Sequence, residues 1–346
     1  MKDSLFREGG PYSIRRTGPE EHSLSIPIPA DECGRIARTC PSDSCSPGYF
    51  RVKPGTGLLE KAGQSYCPYC RCTASPEEFA TEEQIRYAKD IAIREVEKGV
   101  EQLIKDTFGL NSSGKKKHDA GFVSLEWSYK PGPRGAVRWP AEEELRRVVT
   151  CPNCGLNHAV FGIAIWCPDC GDDIFMAHVH AELAVVLAIL SDLERRRNEL
   201  GIRVAAKDLE NCLEDTVSIF EAAAKVTVMR RLRSSGEEEE KIQEFLRRTV
   251  KTSFQSIGRT SDLLLEHFCL DLSQHIGEKV VQRLRDAFEK RHPITHNLGV
   301  IDRKYVARAL TENLEGREVR VTEEEVRQAI DDAGRTLEII HDQLIN

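Results

Sequence analysis

Apolar residues follow two regimes along the chain, and the change comes near residue 176. Before it, short runs are broken by Pro, Gly and Cys. After it, long stretches repeat at helical spacing, and Pro293 is the only proline beyond Pro168. In the second regime Leu183, Val186, Leu187, Leu190 and Leu193 mark one face of a helix beginning near Met176. A second helix is predicted over about 203–233, ahead of Gly236. Glu237 to Glu240 put negative charge at the start of a third, where the helix dipole favours it. Further helices fit 259–275 and 278–291. Thr322-x-x-Glu325 is a capping box for the last helix, in which Val326, Ile330, Ala333, Leu337, Ile340 and Leu344 recur at spacings of 4, 3, 4, 3 and 4. Residues 176–346 therefore read as an antiparallel helical bundle.

The first regime divides further. Residues 1–32 have little periodicity and read as an irregular arm. Residues 33–110 form a first cysteine-bearing module that ends in a helix over about 82–108. Thr81-x-x-Gln84 caps that helix, and Ile85, Ala88, Ile91, Val96, Val100, Leu103 and Ile104 approximate its apolar stripe. Asn111 to His118 is polar and reads as a flexible linker. Residues 119–175 hold a small hairpin over 120–139, with Trp127, Tyr129 and Trp139 around Pro131-Gly132-Pro133, and then a second cysteine cluster. The class is α+β and multidomain, with small β modules first and an all-helical domain last. No repeat at a solenoid period is visible, although the two cysteine clusters are compatible with two copies of one design.

Composition narrows the compartment and the partners. The chain is 40% apolar and 30% charged, as expected for a soluble protein, and its longest apolar stretch, Ala181 to Leu190, is about half of a bilayer span. The N-terminus lacks the apolar core of a signal peptide, so a cytoplasmic location is expected, with no membrane partner. A net charge of −7 argues against wholesale coating of nucleic acid but leaves local basic patches open, such as Lys115 to Lys117, Arg230, Arg231 and Arg233, or Arg247, Arg248 and Lys251. No phosphate-binding glycine loop or nucleophile elbow is present.

Twelve cysteines need an explanation in a reducing compartment, where Cys-x2-Cys pairs are more often metal ligands than disulfides. Cys151-Pro-Asn-Cys154-Gly and Cys167-Pro-Asp-Cys170-Gly are two knuckles, each presenting two thiolates, with glycine taking the positive φ that completes the turn. Facing each other they make the four-sulfur shell that zinc prefers, a zinc ribbon with β arms at Arg146–Val149 and Val160–Ile165. Cys40, Cys45, Cys67 and Cys70 form a looser second set, in which either Cys33 or Cys72 could replace Cys40 or Cys45. His158 could compete at the later site, but a lone ribbon histidine is expected to face solvent. Four-thiolate sites are closed, so two structural zinc ions are expected, neither of them catalytic.

The most unusual stretch of the helical half is Glu289-Lys-Arg291-His292-Pro293-Ile294-Thr295-His296-Asn297-Leu-Gly-Val-Ile-Asp302. Val281, Leu284 and Phe288 form an apolar stripe, and Arg291 takes its next position, where a charge is costly unless paired or functional. Pro293 is expected to kink or restart the helix. Arg291-His292-x3-His296 resembles the active-site motif of the HEPN (higher eukaryotes and prokaryotes nucleotide-binding) ribonuclease domains: Arg, a polar residue, three residues, then His. The continuation through Asp302 to Tyr305 is similar to branches associated with toxins and phage defence. The resemblance covers about half of the chain and implies an all-helical HEPN-like fold for 176–346. It implies a homodimer in which Arg291 and His296 of two copies form one site, with His292 orienting the motif and Asn297 holding backbone or phosphate.

The resemblance implies metal-independent RNA cleavage, with which the residues agree: histidine can serve as base or acid near neutrality, and arginine matches a phosphorane's charge. The expected products are a 2′,3′-cyclic phosphate and a 5′-hydroxyl, and the expected setting is a toxin or an antiviral abortive-infection effector, with a possible antitoxin or defence-system partner. The rivals are a non-catalytic zinc-ribbon binding module with a dimerising bundle, and a regulatory subunit of a toxin–antitoxin pair. In either, Arg291 and His296 belong to a polar helix cap.

Overall fold

The computed structural model describes residues 12–18, 21–58, 63–120, 123–141, 144–145, 147–309 and 315–345. The chain separates into two compact units, Met1–Phe161 with Trp166–Asp172, and Gly162–Ile165 with Asp173–Asn346. Small β elements and one helix make the first, and helices make the second.

In the first unit, β1 (Ser13–Arg16) and β2 (His22–Ser25) pair as an antiparallel hairpin where an irregular arm was expected. Residues 1–11 of that arm lie outside the described residues. The main sheet uses β3 (Ile36–Thr39), β4 (Tyr49–Val52), β9 (Arg147–Thr150) and β10 (Asn157–Val160) in the order β3-β4-β10-β9. Both cysteine-bearing segments thus contribute to one antiparallel sheet.

That sheet has an internal two-fold pattern. Thr39 opposes Tyr49 beside the first cysteine of one cluster, as Thr150 opposes Asn157 beside the first cysteine of the other. On this alignment Phe50 corresponds to His158, Arg51 to Ala159 and Val52 to Val160. The central register then maps onto itself: Val52 pairs with His158, Arg51 with Ala159, and Phe50 with Val160. The pseudo-axis passes between Arg51 and Ala159.

The symmetry accounts for His158, which is fully buried and not solvent-facing. It occupies the counterpart of the fully buried Phe50, which packs edge-on against Phe79 at 5.8 Å. The strand after the Cys151–Cys154 knuckle is Asn157–Val160, earlier than the Val160–Ile165 arm read from sequence, because chain pairing resumes directly after the Gly155 turn. Arg146, at the start of the other arm, lies outside the described residues.

Short strands β5 (Ser65–Tyr66) and β6 (Thr73–Ala74) flank the Cys67–Cys70 knuckle. Helix α1 (Glu82–Phe108) begins with the expected box: Gln84 N–H donates to Thr81 Oγ1, and Thr81 N–H donates to Gln84 Oε1. It ends at Gly109, whose φ of 60° supplies the left-handed cap. Of its expected stripe only Ile91 is buried; Ile85, Val96, Val100 and Leu103 are exposed. The hairpin after it comes earlier than the sequence suggested. β7 (Lys115–Ala120) and β8 (Val123–Ser128) pair with Ala120 opposite Val123, and Pro131-Gly132-Pro133 falls beyond the second strand. The expected linker therefore already contains strand.

The second unit contains α2 (Phe175–Ser191), α3 (Leu193–Leu200), α4 (Ile202–Ser234), α5 (Glu239–Phe245), α6 (Ile257–Phe268), α7 (Leu272–Ile276), α8 (Glu278–His296), α9 (Arg303–Ala309) and α10 (Glu323–Ile345). A π turn at Leu246–Val250 and a 3-10 turn at Ser253–Gln255 lead into α6. The helix predicted over 259–275 is two helices, because Cys269 adopts a left-handed φ of 56° and Asp271 caps a new start.

Helix α4 is central, packing against α2, α3, α8 and α10. Its buried Leu213, Val217, Phe220, Ala224 and Val228 meet apolar positions such as Phe288 of α8, 5.3 Å from Phe220 ring to ring. The box at Thr322 forms on one side, with Glu325 N–H donating to its hydroxyl, and the α10 stripe is buried as its spacing predicts. Among the described residues no single helix is long and apolar enough to cross a membrane.

Candidate functional site

Each knuckle is built by the same two backbone bonds. Arg71 and Gly171 donate to the carbonyls of Cys67 and Cys167, and those cysteines' N–H groups donate to Cys72 and Asp172. Gly155 and Cys151 repeat the arrangement, Cys151 N–H reaching Leu156. The residue after the second cysteine has φ of 79° at Gly155, 72° at Gly171 and 63° at Arg71. Arg71 thus stands where the other knuckles use glycine, and its guanidinium lies 4.3 Å over the Trp166 ring.

These turns gather Cys40, Cys45, Cys67 and Cys70 into one group and Cys151, Cys154, Cys167 and Cys170 into another, with ligand atoms within 4.8 Å of one another in each. Cys33 and Cys72 stand outside both groups. Facing sulfurs lie 3.5–3.7 Å apart. Four sulfurs at about 2.3 Å from a tetrahedral ion would be about 3.8 Å apart, so the donor sets fit. Both groups are compatible with a bound metal ion.

Local electrostatics suits the same use. Burial, followed by the neighbouring thiols, pushes Cys40 and Cys45 up to about 12, and burial followed by the Asp172 carboxylate does the same to Cys170. Burial pushes Cys67 to about 12 and raises Cys167 as well. Cys70 and Cys151 move down despite burial, because the backbone N–H groups of Cys72, and of Cys154 and Asn153, donate to them. A dication among four such sulfurs favours the thiolate throughout.

The two groups are physically joined. Tyr66 N–H donates to Pro168 O at 2.9 Å, and Trp166 N–H donates to Pro68 O at 3.1 Å. Each knuckle thus offers the residue before its first cysteine and the proline after it, and receives the same from the other. The Tyr66 ring sits against Gly171, where an added Cβ would come within 2.9–3.0 Å of ring atoms.

The second candidate site lies on α8 in the other unit. Val281, Leu284 and Phe288 are buried as expected, and the half-buried Arg291 follows them. Pro293 does not end the helix: it lies inside α8, which continues three residues beyond it to His296. The carbonyl of Pro293 then accepts from Asn297 and Gly299, closing the helix, with Leu298 at a φ of 53°.

Arg291 Nη1 donates to Gln255 Oε1 at 3.1 Å, and Gln255 Nε2 donates to Glu221 Oε2 at 2.8 Å. Glu221 in turn pairs with Lys225. Arg291 Nε is buried with no hydrogen-bond partner among the described residues. At the helix end, the rings of His292 and the exposed His296 are 5.1 Å apart. Asp302 faces this end. Its Oδ2 accepts from Asn297 Nδ2 at 3.0 Å and lies 3.7 Å from His292 Nε2, while Oδ1 accepts from Tyr305 N–H.

His292, His296 and Asn297 therefore share one end of α8, whereas Arg291 is directed toward α4 and the turn before α6. Gln255 and Glu221 were not legible as site residues, since each is an ordinary polar residue in its own segment. Asp302 was signalled only by its place behind the motif. Comparison with known protein families, characterised proteins and solved structures gives no significant match for this chain.

Proposed function

We propose that the chain is a metal-independent endoribonuclease of the HEPN type that acts as a homodimer, with zinc as the structural ion in both four-cysteine groups. The observation that carries this reading is the His292–His296 ring pair at the solvent end of α8, directly after the half-buried Arg291. A histidine there can take the proton of a ribose 2′-hydroxyl or give one to the leaving 5′-oxygen. A guanidinium offers fixed donors to the charge that builds on the phosphorane. The products are a 2′,3′-cyclic phosphate and a 5′-hydroxyl. Zinc fits because four thiolates close the coordination shell, which leaves folding as its contribution.

Five residues at about 100° each put His296 roughly 140° round the helix from Arg291. One copy thus offers the two groups in different directions, which favours a site completed by α8 of a second copy. The same fact supports a second reading, a non-catalytic binding protein in which Gln255 simply holds Arg291. The toxin or antiviral setting, with its antitoxin or defence partner, rests on the resemblance of the motif alone.

Replacing Arg291 and His296 together by Ala decides between them. The native chain should cut RNA with the stated ends, and the folded double variant should be at least about 100-fold slower. Unchanged cleavage by that variant sinks the assignment, and an active strict monomer contradicts the two-copy site.

A further inference from the structure

Residues 111–140 carry six Lys and Arg against two carboxylates, in a chain whose net charge is −7. Arg134 and Arg138 are engaged by Glu101 and Asp90 of α1, at 2.6 and 3.4 Å. The remaining four are lysines: Lys115, Lys116 and Lys117 on β7, and Lys130 just after β8. Lys115 pairs with Glu126 across the ribbon at 3.4 Å, where side chains on both sides are more than half exposed, so the pair is weak.

The ribbon's register sorts these residues by face. Cross-strand partners share a face. Lys116 pairs with Trp127 and His118 with Leu125 on one side; Lys115 and Lys117 stand with Ser128 and Glu126 on the other. Trp127 is 50% exposed and Leu125 53% exposed. A two-stranded ribbon normally needs an apolar face packed on something to be stable. This one instead leaves its large apolar groups half in water. Its root is firmly tied: Tyr129 N–H donates to Gly114 O, Gly114 N–H donates to Asn111 O, and Lys116 Nζ donates to Phe108 O at the end of α1. The result is an anchored arm bearing lysines and an open indole.

We propose that the β7–β8 ribbon is an RNA-binding arm that takes single-stranded RNA, a base stacking on Trp127 while the lysines neutralise flanking phosphates. Stacking accepts any base, and phosphate neutralisation makes affinity depend on salt. Duplexes hide their base faces, which selects a single strand. The choice of RNA over other polyanions rests on the ribonuclease reading above.

The test uses the full chain carrying Arg291→Ala and His296→Ala, so that the probe survives, and a labelled mixed-sequence RNA of roughly 20 nucleotides. Adding Trp127→Ala, Lys117→Glu and Lys130→Glu should weaken binding about tenfold or more and flatten the plot of log Kd against log salt. Trp127→Phe alone should keep most of the affinity, which a fold defect would not explain. Unchanged affinity in the triply altered ribbon overturns the proposal, as does tighter binding to duplex DNA or to anionic vesicles than to the RNA. The two readings fail separately. A native chain that cuts RNA while the ribbon variant binds normally removes the arm and leaves the nuclease. Ribbon-dependent binding in a chain that never cuts removes the nuclease and leaves the arm.

Discussion

Arg71 and Gly171 hold equivalent places in two knuckles, and their substitution should have opposite consequences. Arg71 accepts a left-handed backbone at a cost of about 1 kcal/mol and regains part of it through its contact with Trp166. Arg71→Gly should therefore change the stability of metal-loaded protein by less than about 1 kcal/mol in urea unfolding. Gly171→Ala meets both the φ of 72° and the Tyr66 ring, and should cost about 2 kcal/mol or more, with partial loss of metal.

Asp31 gives the pH dependence at this scale. Partial burial pulls its carboxyl upward, but the Arg35 N–H, the Arg51 guanidinium and the Cys33 N–H together hold it below the ordinary 3.8. A carboxyl lowered by folding stabilises above its unfolded value, and that contribution fades as the pH falls through its folded value. Asp31→Asn should cost about 1–2 kcal/mol at pH 7, because Arg51, only 6% exposed, loses its carboxylate. The difference from the native chain should narrow as the pH is taken below 3.8.

At the level of elements, α8 and α10 are joined by a polar pair in which the carboxylate is buried and the guanidinium reaches it from the surface. Asp332, 1% exposed, receives a forked contact from Arg283 at 2.8 and 3.0 Å and a further bond from Gln328. Arg283→Ala should lower the midpoint of chemical unfolding, because it leaves the buried Asp332 short of its partner, and Arg283→Lys should lower it less, since a lysine keeps the charge but cannot reproduce the fork. Equal stability of all three would mean that the pair contributes nothing.

These helices were the legible part of the chain. Thr81 with Gln84, and Thr322 with Glu325, announce helix starts through local chemistry, and the α10 stripe announces its buried face. Legibility failed where distant partners decide. Nothing near His158 in sequence shows that it takes the counterpart place of Phe50, because that follows from β4 meeting β10 across about 100 residues. The hairpin was misplaced because Pro131-Gly132-Pro133 is a strong turn signal, yet the strand pairing closes with Ala120 opposite Val123. For the same reason the eight metal-group cysteines could be read from spacing, whereas the Arg291–Gln255–Glu221 chain could not.

On the scale of the whole molecule, the two cysteine groups share one sheet and two reciprocal knuckle bonds, so they should not load independently. Cys67→Ser is expected to lower metal content at its own group and also to weaken retention by Cys151, Cys154, Cys167 and Cys170. Chelator titration with metal counted by elemental analysis checks this: a variant keeping one ion as tightly as the native chain keeps it would refute the coupling. Acid should release both ions, because metal competes with protons for raised thiols. The helical unit should keep its helices after the metal has left, as judged by circular dichroism, since its own core contains no cysteine group.

The pseudo-axis between Arg51 and Ala159 has one more implication. A sheet of this form made from two separate chains would fall apart on dilution, whereas here the intervening residues tether the halves, at an effective concentration in the millimolar range for a flexible tether. Tethering also frees the halves to diverge. With Cys70 exposed in one group and no exposed cysteine in the other, an ion held by the first half would meet competing ligands from solvent sooner than one held by the second.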